Sequence, residues 1–181
     1  MENEEIEQNN TQHAVKWGLI LGLISVIITL LVYVIDITIM AKPYFGIIYL
    51  VVYIGFVIYA GRKYREESGG YLTYGKAFLH AFVILLLAGF IDRVFLYILF
   101  NLIDPQAAET IIKVTMDTTM QAMESFGGGG NPEVMDEMAE GMAEAYTLGG
   151  LAKNFMFMII AYAIGAAIIG AINKKNEPQE F

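Results

Sequence analysis

Four long apolar stretches dominate the pattern of hydrophobic and polar positions along the chain. They cover about 15–37, 44–61, 77–103 and 150–172, with polar segments between them. A helix rises about 1.5 Å per residue, so roughly 20 apolar residues cross a hydrocarbon core of about 30 Å. The second stretch is the shortest and reaches that length once its flanking residues lie in the interface. The sequence therefore predicts an all-α fold, an integral membrane four-helix bundle.

The polar segment between the third and fourth stretches has a helical pattern of its own. Pro105 can begin a first helix and the run Gly127–Gly130 interrupts it, after which Asn131 and Pro132 have the residue types that cap and start a second. In the second helix the glutamates follow one line and the methionines another, which makes it amphipathic. We therefore predict a two-helix hairpin over 104–147.

Composition supports a membrane protein and divides the chain into two polar tails and a membrane domain. Hydrophobic residues make up 56% and charged residues 17% of the 181, which is too apolar for an ordinary soluble domain. Residues 1–14 are acidic, unlike the basic start of a cleavable signal, and predict a solvated tail. The membrane domain then covers 15–173, and 174–181 form a second tail. The absence of cysteine excludes disulfides, thiolate metal sites and a cysteine nucleophile.

The distribution of lysine and arginine predicts the orientation, because cytoplasmic loops carry the excess of these residues. With four spans, both tails and the second loop share one side, and seven of the eleven basic residues lie there. They are Lys16, Arg62, Lys63, Arg65, Lys76, Lys174 and Lys175. Both termini are therefore expected in the cytoplasm, with the hairpin on the extracytoplasmic side.

The charge pattern also bears on partners. The net charge of −8 comes largely from the hairpin, where nine carboxylates accompany one lysine, so we expect no nucleic acid partner. Basic residues around the second loop are instead placed to contact anionic lipid headgroups, each contributing about 1 kcal/mol. The candidate headgroup contacts are Arg62, Lys63, Arg65 and Lys76. The lipid bilayer is thus the first expected partner.

Three ionisable residues interrupt the apolar stretches and form a candidate intramembrane polar cluster. Asp92 and Arg93 lie a little beyond the middle of the third stretch, and Asp36 closes the first toward the same side. Such groups are costly in lipid and usually face the bundle interior, so each is a functional hypothesis. We predict that Asp36 pairs with Arg93 and braces two helices. A transport pathway is the alternative.

Small residues recur at helical spacing in the first and fourth stretches. Gly18 and Gly22 lie four apart, as do Ala163, Ala167 and Ala171. Small residues at this spacing let helices approach closely in lipid. The first and fourth helices are therefore predicted to pack tightly against a neighbour, and each other is one possibility.

No catalytic constellation emerges. The run Gly70–Ala77 nearly fits a phosphate-binding loop, but Ala77 replaces the hydroxyl residue that holds Mg²⁺, and no strand precedes it. His80 and Ser25 lie at different depths of the predicted bundle, so they cannot form a triad. We expect no enzyme activity, no cofactor and no metal site.

The second loop and the C-terminal half of the chain resemble a known family. The segment Tyr64–Phe78 (YREESGGYLTYGKAF), a long third span, Ile103-Asp104-Pro105, an acidic hairpin and a last helix ending in Asn-Lys-Lys resemble domain-of-unknown-function family 4199. Those are small four-span membrane proteins of Bacteroidetes-type bacteria. The likeness covers about 15–175, implies a bacterial inner-membrane location, and transfers no catalytic residue.

These observations favour a non-enzymatic accessory or scaffolding subunit of an envelope complex, with a membrane-protein partner or self-association. The alternative is a small transporter or channel that uses Asp36, Asp92 and Arg93. A membrane enzyme ranks third, because the chain has two histidines and few other candidate groups.

Overall fold

The computed structural model describes residues 2–125 and 132–177, with side chains over 9–125 and 133–177. Its helices are α1 (Glu2–Asp36), a 3₁₀ turn (Ile37–Ala41), α2 (Pro43–Glu67), α3 (Tyr74–Ile98) with a π turn (Leu99–Ile103), α4 (Pro105–Ser125), α5 (Pro132–Ala145) and α6 (Leu148–Asn173). The all-α prediction is confirmed for the described part. The predicted glycine interruption at Gly127–Gly130, the Asn131 cap and residues 178–181 lie outside it.

Four helices are long and apolar enough to cross a membrane. They cover Asn9–Ala41, Pro43–Glu67, Tyr74–Ile103 and Leu148–Asn173. Each contains one of the predicted stretches, so the four candidate spans are confirmed. The second is longer than its apolar stretch, because its helix continues through the basic residues to Glu67.

The first helix begins earlier than its apolar stretch. It starts at Glu2, and Asn10, His13 and Ala14 are buried. The Asn10 amide donates a hydrogen bond to the Lys76 carbonyl at 3.2 Å, which ties this turn to α3. The prediction of a solvated tail over 1–14 is thus wrong for its last turn, because polar residues bury themselves there through hydrogen bonds.

The third helix is the centre of the bundle, with α1 and α6 packed on it. Side chains added at Gly18 and Gly22 of α1 would meet Leu87 and Ile91 of α3. A side chain at Gly89 of α3 would meet Tyr162 of α6. The small residues of α1 therefore contact α3, and the two outer helices do not touch each other within the described part of the chain.

The two ends of the bundle differ in their connections. We call α4 and α5 the connector, and the end of the bundle that carries them the connector end; there α4 packs on the 3₁₀ and π turns, and α5 contacts α4 and α6. At the opposite end, the terminal end, the backbone groups of Leu72 and Lys175 exchange two hydrogen bonds of 2.8 Å, an isolated antiparallel bridge. This bridge joins the loop between α2 and α3 to the residues after α6.

The core of the bundle is a largely apolar cluster. Its buried aliphatic residues come from α1, α2, α3 and α6, and are Ala14, Leu21, Val57, Ala60, Ala81, Ile84, Leu85, Ala88, Ala166 and Ile169. Tyr53 and Tyr162 are buried in the same cluster, and Ser25 of α1 is buried as well.

Candidate functional site

The carboxylate of Asp92 is the centre of the polar site in the third helix. Its residue is 8% exposed, and the Tyr49 hydroxyl of α2 donates a hydrogen bond to Asp92 Oδ1 at 2.7 Å. Tyr49 stacks on Tyr53, with ring centroids 5.0 Å apart. Positions four apart share one helix face, so this pair faces α3 together. We call Tyr49, Asp92 and Arg93 the charged site.

Arg93 lies beside Asp92 without a close acceptor. Its Nη1 is 3.9 Å from Asp92 Oδ2, beyond hydrogen-bond distance, and its side chain is 26% exposed. Its Nε is buried and has no hydrogen-bond partner in the described part of the chain. The charged site thus combines a carboxylate held by a tyrosine with a guanidinium that has free donors.

Two cavities meet at the charged site and share Gly46 along with its three residues. The first, of about 300 Å³, reaches toward the connector end, where Ile111 and Tyr146 line it. Burial raises the pKa of the Tyr146 hydroxyl, and the positive charge of Arg93 opposes that rise. The second, of about 280 Å³, lies between α2 and α6 and has an almost wholly apolar wall.

The predicted pair between Asp36 and Arg93 is not formed. The Asp36 carboxylate accepts hydrogen bonds from the Thr38 backbone N–H at 2.9 Å and the Thr38 hydroxyl at 2.7 Å. It caps the 3₁₀ turn at an exposed position. A short polar side chain at a helix end satisfies local N–H groups first, which is why this carboxylate stays on its own turn. Of the three predicted residues, the structure brings only Asp92 and Arg93 together.

The four candidate headgroup contacts lie at the terminal end in different environments. Lys63 Nζ pairs with Glu66 at 3.2 Å, and Arg65 Nη1 donates to the Asn173 carbonyl at 3.2 Å. Arg62 is exposed, and Lys76 lines a cavity of about 420 Å³ at the second loop. Their contact with lipid stays a prediction.

Comparison with known proteins identifies the family. The family model described as "Protein of unknown function (DUF4199)" matches residues 16–175. The chain belongs to this family. No curated protein and no solved structure matches the chain. The DUF4199 match includes the whole charged site, and the family's description assigns no activity to it.

A second polar group of this DUF4199 protein was missed by the sequence argument. His13 Nδ1 of α1 lies 2.7 Å from His80 Nε2 of α3, and His80 is 1% exposed. The Tyr64 ring stacks on His80 with centroids 5.0 Å apart, and the Trp17 indole donates to His13 Nε2 at 3.0 Å. We call these four residues the histidine cluster.

The hydrogen bonds of this cluster fix its tautomers. An indole N–H can only donate, so His13 Nε2 is the acceptor and His13 carries its proton on Nδ1. That proton is donated to His80 Nε2, which leaves the His80 proton on Nδ1, where no partner is found in the described part. Glu67 lies farther from His13 Nε2, at 3.5 Å, than the indole does. The cluster is therefore a directed chain of neutral rings.

Sequence signals existed for some of these groups. Trp17 follows His13 by four positions, the spacing of neighbours on one helix face. Tyr49 and Tyr53 have the same spacing in α2. No sequence pattern links Tyr49 to Asp92 or His13 to His80, because those contacts depend on how each helix is rotated in the bundle.

Proposed function

We propose that this protein is a non-enzymatic accessory subunit of an envelope complex, held in the bacterial inner membrane with both termini in the cytoplasm. The observation that carries the proposal is apolar surface on the connector, which lies outside the four candidate spans. Met120 is 40% exposed on α4, and Val134 and Met138 are 44% and 38% exposed on α5. Single exposed apolar side chains are ordinary on a protein surface, so the support for a contact surface comes from the adjacency of Val134 and Met138 on one face of α5.

The surface on α5 has the form of a helical contact line. Val134 and Met138 are four apart and therefore neighbours on one face, while Asp136 lies on the opposite face and is exposed. A partner membrane protein that places an apolar groove over this line would bury it, with the acidic residues of α5 as a polar rim.

The experiment that tests the proposal is site-specific photo-crosslinking in native membranes. A photoreactive residue at Met138 is expected to give one stoichiometric membrane-protein adduct, and the same residue at Asp136 should give none. Equal labelling from both positions, or adducts of the protein with itself only, would contradict an accessory role.

A second candidate, a small transporter or channel, is favoured by the two cavities that meet at Asp92 and Arg93. Against it, His80 and Asp92 are twelve positions apart on α3, about 18 Å, and most of the buried residues between them are aliphatic. Solute or proton flux into liposomes that Asp92→Asn abolishes would favour this candidate over the first.

Orientation can be tested directly because the chain has no cysteine. A single cysteine placed at Lys174 should react with a membrane-impermeant maleimide only after the inner membrane is opened. A single cysteine at Glu124 should react in intact spheroplasts. The reverse pattern would place the termini outside.

A further inference from the structure

Arg93 is a cation inside the bundle whose donors are unused. A guanidinium presents five N–H donors, yet no hydrogen bond of Arg93 is formed within 9–125 and 133–177, and Nε is buried without an acceptor. Asp92 does not supply one, because its Oδ1 is held by Tyr49 and its Oδ2 is 3.9 Å away. Asp92 is the ion-pair partner of Arg93 at 3.9 Å, and charge-assisted hydrogen bonds are shorter and stronger than such a contact. The site therefore supplies a counter-charge and lacks an acceptor for the hydrogen bonds of the guanidinium.

The depth of Arg93 indicates where that acceptor comes from. The helix over Tyr74–Ile103 is about 44 Å long, so its midpoint lies near Gly89 and Arg93 is about 6 Å beyond it. The half-thickness of a hydrocarbon core is about 15 Å. Arg93 thus lies about 9 Å inside the edge of the core, and the first cavity connects its guanidinium to the connector end, where Ile111 and Tyr146 line it.

The second cavity supplies an apolar groove next to the guanidinium. It begins at Gly46 and Arg93 and continues between α2 and α6 past Leu50 and Met158 to Ile169. A side chain added at the next residue, Gly170, would meet Phe78 near the start of α3, so the groove leads from the charged site through the middle of the bundle toward the terminal end. A guanidinium with unused donors, next to the Tyr49-bound carboxylate of Asp92, lies at the end of this apolar groove and matches an amphiphile whose head carries a phosphate.

We propose that Arg93 binds the phosphate of a phospholipid headgroup whose acyl chain lies in the groove between α2 and α6. Guanidinium groups bind phosphate through two parallel hydrogen bonds, which uses donors that the protein leaves free. The adjacent cavity, lined by Phe45 and Tyr146, accommodates the remainder of the headgroup. This inference stands independently of the accessory role.

The experiment is native mass spectrometry on the full chain, purified in mild detergent, delipidated and then titrated with phosphatidylglycerol. Wild type is expected to retain one phospholipid. Arg93→Gln should reduce the occupancy about tenfold, because it loses charge-assisted hydrogen bonds, and Arg93→Lys should fall between them. Arg62→Gln, which changes an exposed arginine at the terminal end, should keep wild-type occupancy.

A second pair of variants blocks the groove and keeps Arg93. A side chain added at Gly46 or at Gly55 meets no atom within 4 Å, so both positions of α2 accept leucine. Gly46 lines both cavities, whereas Gly55 lines neither. Gly46→Leu should reduce phospholipid occupancy and Gly55→Leu should leave it unchanged, with equal melting temperatures for the two lipid-free proteins.

The source of the phosphate is decided by a parallel arm with inorganic phosphate. Phosphatidylglycerol is expected to raise the melting temperature of wild type and inorganic phosphate at the same concentration is not. A rise with inorganic phosphate that requires Arg93 would overturn the lipid as source and assign a free phosphate. Equal phospholipid occupancy in wild type, Arg93→Gln and Gly46→Leu would overturn the site.

Discussion

The histidine cluster and the charged site are both polar groups within the same four candidate spans, and they differ in what surrounds them. In the histidine cluster, neutral rings from three helices contact each other, and His80 is almost fully enclosed. In the charged site, a carboxylate and a guanidinium lie 3.9 Å apart at the junction of two cavities. Buried neutral side chains that hydrogen-bond to each other stabilise the packing of the helices. Charged side chains that line a cavity are accessible to a ligand.

The largest expected effect comes from the histidine cluster. His80→Ala should lower the free energy of unfolding by about 3 kcal/mol, because it removes a buried ring and leaves the His13 Nδ1–H without an acceptor. Thermal unfolding in detergent measures this. The phospholipid occupancy of the folded variant should stay at the wild-type value, and a loss there would remove the distinction between the two regions.

A smaller effect is expected at the charged site. Tyr49→Phe removes the hydrogen bond to Asp92 and should cost about 2 kcal/mol, since bonds to charged groups contribute about 1.5–3 kcal/mol. Tyr59→Phe is the control in the same helix, because its ring is half exposed. The same unfolding assay applies, and equal losses for both tyrosines would show that Asp92 has no need of the Tyr49 hydroxyl.

The second loop at the terminal end should respond less. Gly70 has φ of +89°, a conformation that other residues adopt only with strain, so Gly70→Ala should cost about 1 kcal/mol. Gly75→Ala is the matched control, a helical position with open space at the added carbon. It should leave the melting temperature unchanged or raise it slightly. An equal loss at both positions would show that the positive φ of Gly70 is not the cause of its loss.

The smallest effect is expected at Asp36, which the sequence argument pairs with Arg93. Asp36→Ala should cost about 0.5–1 kcal/mol through loss of a cap. Because the structure does not join the two residues, the losses in the Asp36→Ala and Arg93→Ala double mutant should add within about 0.5 kcal/mol. Coupling well above that value would restore the predicted pair.

The sequence was sufficient for the spans and for part of the charged site. The length of an apolar run is enough to predict a membrane span. Asp92 and Arg93 can be singled out because they interrupt such a run. Tyr49 and His13 were not recoverable in the same way. Tyrosine is common at membrane interfaces, and His13 lies in a polar turn that precedes the apolar stretch. Their roles arise from helix rotation and from a first helix longer than its hydrophobic part.

The spacing of small residues also predicts only part of the helix packing. Gly18 and Gly22 were candidates for contact with a neighbouring helix, and the neighbour is α3 of the same chain. Sequence spacing reports close approach without saying which helix approaches. The case for an external partner therefore depends on the connector and not on these positions.

The bridge between Leu72 and Lys175 has a consequence for biosynthesis. Ribosomes add about 5–20 residues per second, so the loop between α2 and α3 waits roughly 5–20 s after its own synthesis for Lys175 to be made. During that interval the loop is open to proteases and chaperones on its side of the membrane. The bridge can form only once the last span has been made and inserted. The time at which the loop becomes resistant to protease in a pulse-chase experiment therefore measures when assembly is complete.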